Sequence, residues 1–193
     1  MIKRICVYCA SSSQIDNNYI DEAHSLGQIL AKAGITTVYG GGSVGLMGAL
    51  ARGVLQNNGT LVGVIPKFMM ELEWGNPDVS EMNIVETMAQ RKHMLLENVD
   101  AVIALPGGTG TLEELAEVLS LKKLALFTKP IIILNTNNFY DYLVAFLNKM
   151  VDEKFIRNEL HDLYFVAENA GSVIPLINSA PIWSNDRIKF ATF

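Results

Sequence analysis

Ala101-Val102-Ile103-Ala104-Leu105 runs into Pro106-Gly107-Gly108-Thr109-Gly110-Thr111 and on into Leu112-Glu113-Glu114-Leu115-Ala116-Glu117-Val118-Leu119. Five apolar residues without polar alternation read as a strand covered on both faces. The glycine-rich turn ends that strand, and apolar residues at helical spacing then predict a helix over 111–126. Strand, tight turn and helix make half of a βαβ unit. Working outward, the same alternation fills the chain. Runs 2–9, 35–39, 60–65, 83–86, 130–134 and 163–166 read as strands. Residues 17–33, 46–56, 88–99, 139–151 and 170–177 read as helices, 67–82 as irregular, and the tail from 181 carries no pattern. Unalternated strands separated by amphipathic helices predict a single Rossmann-like α/β domain over 1–180, with a short tail over 181–193. Its sheet has about seven mostly parallel strands with helices on both faces. The strand ending at Leu105 is expected beside the first strand, and the 83–86 strand at an edge.

Composition bounds the chemistry. The 193 residues carry 15 basic and 20 acidic side chains, a net charge of −5; half are hydrophobic and 18% charged. A chain of this length buries roughly 70% of its unfolded surface and needs no disulfide or metal to hold a core. An acidic balance argues against nucleic acid, which requires a basic face. No apolar run approaches the ~20 residues of a membrane-spanning helix, and the run behind the basic N-terminus is too short for a signal peptide. A cytoplasmic protein is expected. Cys6 and Cys9 form a C-x-x-C inside a strand, where residues three apart point to opposite faces, so both read as buried thiols. His24, His93 and His161 show no metal spacing, and neither metal nor cofactor is implied.

In parallel α/β sheets, ligands bind beyond the carboxyl ends of the strands, and two turns there are rich in glycine. Gly107, Gly108 and Gly110 leave backbone N–H groups free to converge on one spot ahead of a helix N-terminus, a cradle for phosphate. No G-K-[ST] follows, which separates the turn from a Walker A loop. Thr111 and Glu114 also fit a capping box, which would make Glu114 a helix cap. If phosphate binds in the cradle, Glu114 is expected to face the sugar instead. The other turn, Gly40-Gly41-Gly42-Ser43-Val44-Gly45-Leu46-Met47-Gly48, contains G-x-G-x-x-G but follows the second strand and lacks the acidic ribose partner. It reads either as a tight packing turn or as a backbone surface, Gly42 and Ser43 included, that lets a nucleotide approach. On the 88–99 helix, Met88, Leu95, Leu96 and Val99 form a stripe with Lys92 at its centre and Arg91 at its edge. The pair either snorkels or binds an anion.

Together these motifs resemble the LOG ("lonely guy") family, phosphoribohydrolases acting on cytokinin nucleotides. The P-G-G-x-G-T-x-x-E signature is complete from Pro106 to Glu114, Tyr39–Gly48 is similar to the family's other glycine loop, and Gln90-Arg91-Lys92 to its basic pair. The likeness runs from about residue 5 to about 166. It implies hydrolysis of the N-glycosidic bond of a nucleoside 5'-monophosphate to free base and ribose 5-phosphate. Arg91 and Glu114 would be the catalytic pair. Glu73, Lys92, Gly108, Thr109, Gly110, Thr111, Leu112, Glu113 and Ser120 would surround the nucleotide, and the chain would form a homodimer. Members have often been labelled lysine decarboxylases, but no pyridoxal phosphate site is readable. A carboxylate such as Glu114 suits the positive charge that builds on ribose as the C1'–N bond breaks. Arg91 suits an electrostatic and positioning role, since a guanidinium does not give up its proton. The group that protonates the leaving base stays open, with Glu73 a candidate and Glu71 its rival. Two stretches depart from the family pattern, Leu121-Lys122-Lys123-Leu124-Ala125 and the segment 69–75. They leave the base open between isopentenyl-adenine and plain adenine. The alternative is a non-catalytic carrier of a nucleotide or of molybdenum cofactor on a related fold.

Overall fold

The computed structural model describes residues 2–72, 75–79, 81–158 and 162–191. Seven strands form one parallel sheet: β1 (Arg4–Tyr8), β2 (Thr36–Tyr39), β3 (Leu61–Pro66), β4 (Glu81–Val85), β5 (Ala101–Ala104), β6 (Ile131–Leu134) and β7 (Phe165–Ala167). Their order is β4-β3-β2-β1-β5-β6-β7. The strand that opens the glycine-rich turn therefore lies beside the first strand, with Val7 opposite Ile103 and Tyr8 opposite Ala104. β4 is an edge, as expected. The chain grows outward from β1 in one direction and restarts at β5 in the other, so the switch point is the β1/β5 seam.

Side-chain alternation sorts the core into two layers. Ile5, Val7 and Cys9 pack with α1 (Asn17–Lys32), α2 (Gly45–Leu55) and the C-terminal α7 (Val173–Ser179). Cys6 and Tyr8 face the other layer, with α4 (Met88–Leu96), α5 (Thr109–Lys123) and α6 (Asp141–Asp152). The two cysteines therefore end on opposite faces, both buried and free. Burial raises both thiols well above their ordinary range, leaving them protonated. The first two helices meet almost backbone to backbone: a Cβ at Gly27 would strike the Leu50 carbonyl oxygen, and one at Gly53 that of His24.

Local boundaries differ from expectation in several places. Within the 67–82 stretch a short helix, α3 (Lys67–Glu71), follows β3 directly. The fourth helix ends at Leu96, so Val99 lies beyond it. Its N-terminus is closed by a capping box in which the Thr87 hydroxyl accepts from Gln90 N–H (3.1 Å) and the Gln90 side chain accepts from Thr87 N–H (3.1 Å). Finally, α5 starts at Thr109 with Gly108 as its N-cap residue and no side-chain cap. Thr111 is thus inside the helix, and the Thr111–Glu114 capping box does not form. Glu114 is released for another use.

Candidate active site

The turn after β2 is built for packing on one side and for access on the other. Gly45 has φ +60°, and a Cβ there would run into the backbone of Ser11 and Ser12. The N–H of Met47 donates to the Ala10 carbonyl (3.1 Å), tying the turn to the end of β1. On the far side Asn76 N–H donates to the Gly41 carbonyl (2.8 Å), and Gly75 forms a bridge to Gly42. Gly42 is buried beside the Met47 side chain, and Ser43 is half-buried. The G-x-G-x-x-G spacing is therefore largely a packing device.

That braced turn holds Arg91. Its Nε donates to the Val64 carbonyl (3.2 Å) and its Nη2 to the Gly40 carbonyl (3.1 Å). A side chain at Gly40 would occupy the guanidinium's place. The third nitrogen, Nη1, lies 3.8 Å from Glu114 Oε1, with both side chains at or below a tenth exposed. A buried arginine fixed by two carbonyls and one carboxylate is rigid and permanently charged. Burial pushes the Glu114 carboxyl up to about 7, against the pull of Arg91. Glu113 and Glu117 push the same way as burial, and Lys92 pulls with Arg91.

The second turn opens outward. Gly108, Thr109 and Gly110 are exposed, and a Cβ at Gly108 or Gly110 would meet nothing within 4 Å. The first N–H groups of the 15-residue α5 have no partner within the helix, and its dipole adds positive potential there. The base of the turn is pinned by the Tyr140 phenol, which donates to the Leu105 carbonyl (2.6 Å). Thr111 is buried behind the turn, against Gly107.

Arg91 and Glu114 are thus brought together below an open, N–H-lined turn. Lys92 is half-buried, and its Nζ lies 2.5 Å from Glu113 Oε1 and 3.0 Å from Glu117 Oε2. The stripe on α4 is consequently centred on Arg91 and Leu95, not on Lys92. Leu112 is exposed beside the turn. Ser120 stands apart: six residues beyond Glu114 it is about 9 Å farther along α5, its hydroxyl donating to the Ala116 carbonyl (2.8 Å). It lines an apolar groove of about 780 Å³ between α5 and α6, together with Leu112. Glu73 lies outside the described residues, as does His161. Among the described residues no group of three or more His, Cys, Asp or Glu could hold a metal ion. The carbonyls of Gly40 and Val64 and the Tyr140 anchor were not anticipated. Backbone acceptors leave no mark in a sequence, though their position after β2 and beside β3 follows from the strand order.

Comparison with known proteins establishes the family. A family model described as "Possible lysine decarboxylase" matches residues 47–177. The chain is 42% identical to cytokinin riboside 5'-monophosphate phosphoribohydrolase LOG2 of Arabidopsis thaliana, over 97% of this chain and 93% of that protein. It is 40% identical to the Arabidopsis enzyme of the same name numbered LOG3, over 98% and 93%. Among solved structures, the molybdenum cofactor carrier protein of Chlamydomonas reinhardtii superposes with a TM-score of 0.72 at 21% identity, covering 93% of this chain and 98% of that one. The molybdenum cofactor binding protein of Rippkaea orientalis gives 0.70 at 24%, over 93% and 97%. Those two likenesses concern the fold alone. The complete Pro106–Glu114 signature and the extent of the match to the LOG enzymes lead to one conclusion: this chain belongs to the LOG family of cytokinin riboside 5'-monophosphate phosphoribohydrolases.

Proposed function

We propose that this chain hydrolyses the N-glycosidic bond of nucleoside 5'-monophosphates, adenine-based ones included. The observation that carries the reading is the buried Arg91–Glu114 pair under the open Gly108–Gly110 turn. The 5'-phosphate docks on the N–H groups at the start of α5. Ribose then lies toward Glu114. As the C1'–N bond breaks, its electron pair leaves with the base, which takes up a proton. Positive charge develops on C1' and the ring oxygen, and the ionised Glu114 carboxylate stabilises it. Water adds its oxygen to C1', giving ribose 5-phosphate. Arg91 holds Glu114 in place and favours its ionised form; it donates no proton. Gly42 and Ser43 of the first turn, with Leu112 and Glu113, border the nucleotide.

Two further expectations belong to this reading. The enzyme works as a cytoplasmic homodimer. Dimerisation is supported by α6, which is amphipathic yet has no buried residue and exposes Tyr142 and Phe146 beside the α5/α6 groove. In a dimer Ser120 would lie at the contact rather than beside Glu114. As to compartment, two buried free thiols are compatible with a reducing one. Among the described residues no helix is long and apolar enough to cross a membrane.

The test is chromatographic. Incubation with AMP and with N6-isopentenyl-AMP is expected to release free base, and Glu114→Gln is expected to lower the rate about a hundredfold or more. The faster substrate identifies the preferred base. A wild-type protein that binds nucleotide and releases no base would overturn the hydrolase reading in favour of a carrier.

A further inference from the structure

The consecutive basic residues of α4 meet consecutive acidic residues of α5. Arg91 reaches Glu114, while Lys92 crosses to Glu113 and Glu117. Those two carboxylates are one turn apart, Glu117 is also one turn from Glu114, and the charge of each acts on Glu114. Three acidic groups crowd the first turns of α5 without any other lysine or arginine among their ion pairs in the described residues. Family resemblance assigns Lys92 to the nucleotide, but its ammonium makes two short ion pairs with protein carboxylates. The bridge is no great source of stability, because Glu113 and Glu117 are half exposed or nearly so and such pairs contribute little. Its effect is on local charge. Glu114 is faced by Arg91 and Lys92 from α4, by Glu113 and Glu117 from its own helix, and by Cys6 and Tyr8 from β1 with Cys9 just beyond it. The last three are neutral near pH 7, so the flanking balance is set by Lys92 against two carboxylates.

We propose that Lys92 is a positioning residue: by bridging Glu113 and Glu117 it fastens α4 to α5 and offsets part of the negative charge flanking Glu114, so that Glu114 ionises more readily against Arg91. Its consequence for turnover rests on the hydrolase reading; the bridge and its effect on Glu114 do not.

The test follows the Glu114 carboxyl directly, by ¹³C NMR titration of the full chain, with Glu114→Gln to assign the signal. Lys92→Met is expected to move the Glu114 midpoint upward by about half a unit or more. Lys92→Arg should restore it. In a Glu113→Gln/Glu117→Gln background the Lys92→Met shift should shrink, because the ammonium keeps its own pull on Glu114 but is no longer held in place by the two carboxylates. If Lys92→Met fails to fold, the Glu113→Gln/Glu117→Gln protein alone decides, because leaving Lys92 without its carboxylates should lower the midpoint. A midpoint that does not move in these variants, or a Lys92→Met shift that persists unchanged without the two carboxylates, overturns the proposal. The latter result would make Lys92 act on Glu114 or its ligand directly. Absence of base release from the wild type would defeat the hydrolase reading and leave the titration result standing.

Discussion

Glu114 carries opposite requirements for activity and stability. Its carboxyl is held at about 7 in the fold against 4.5 when unperturbed, chiefly by burial. Stabilising a cationic ribose requires the ionised form. The value of kcat/KM is therefore expected to rise about tenfold per pH unit below about 7 and to level off above it, in a steady-state pH profile. The stability effect has the reverse sign. Because the folded value is raised, the folded state binds the extra proton between about 4.5 and 7, and this group's contribution is lost as pH rises through that window. At full ionisation the loss approaches about 3 kcal/mol from a shift of this size. Glu114→Gln keeps the shape and removes the charge. It should melt above the wild type at pH 8, and the difference should vanish near pH 4.5. A variant that melts below the wild type at pH 8 would show that the Arg91 contact outweighs the burial cost.

At the scale of elements, the two glycine turns make separable contributions. Gly45 is left-handed and its Cβ position is filled by the Ser11–Ser12 backbone. Gly45→Ala should therefore lower the melting temperature by several degrees, since strain and overlap add. Gly108 has φ −85° and open space around it. Gly108→Ala should leave the melting curve nearly unchanged and raise the KM for AMP, because the methyl intrudes where the phosphate approaches. Melting curves and KM measured on both variants separate the roles. Two placements in the sheet were legible in the sequence, the strand ending at Leu105 beside the first and the 83–86 strand at an edge, because unalternated strands and right-handed crossovers leave few arrangements. The start of α5 was not. Thr111 and Glu114 satisfy a capping box on paper, whereas the real cap, Gly108, uses no side chain. The buried face of α4 differs from the expected stripe for another reason. Met88 is exposed and Leu96 only partly buried, so the face centres on Arg91 and Leu95 rather than on Lys92. The basic pair was readable, but which member turns inward depends on tertiary packing that apolar spacing alone does not show.

Across the whole molecule, the C-terminal segment fastens onto the helix that carries the site. Trp183 is buried against Leu163, with Lys122 Nζ 4.7 Å and the Arg187 guanidinium 4.2 Å from its ring centre. Arg187 also pairs with Asp162 at 2.7 Å. None of this was visible in a tail without periodicity, because a single tryptophan and two charges make no pattern. Leu121-Lys122-Lys123 registered only as a departure from the family, and the structure gives Lys122 a place, 2% exposed and facing Trp183. Burial lowers its ammonium to about 8, with Asp162 opposing and Arg187 adding to the shift. A folded value below the unfolded 10.5 means that the charged lysine costs stability at pH 7, and that this cost fades as pH rises from about 8 to 10.5. Replacing a buried charge with an apolar side chain of similar length is often stabilising, but Lys122→Met also gives up a cation–π contact of about 1–2 kcal/mol. The full burial cost implied by the shift is about 3 kcal/mol, so burial wins by roughly 1–2 kcal/mol, a few degrees for a chain of this size. Lys122→Met is therefore expected to melt above the wild type at pH 7, with the gap closing by pH 10. Trp183→Ala should melt well below it at both. A Lys122→Met protein less stable than the wild type at pH 7 would mean that the contact with Trp183 dominates, and that the lysine holds the tail by its charge rather than by its stem.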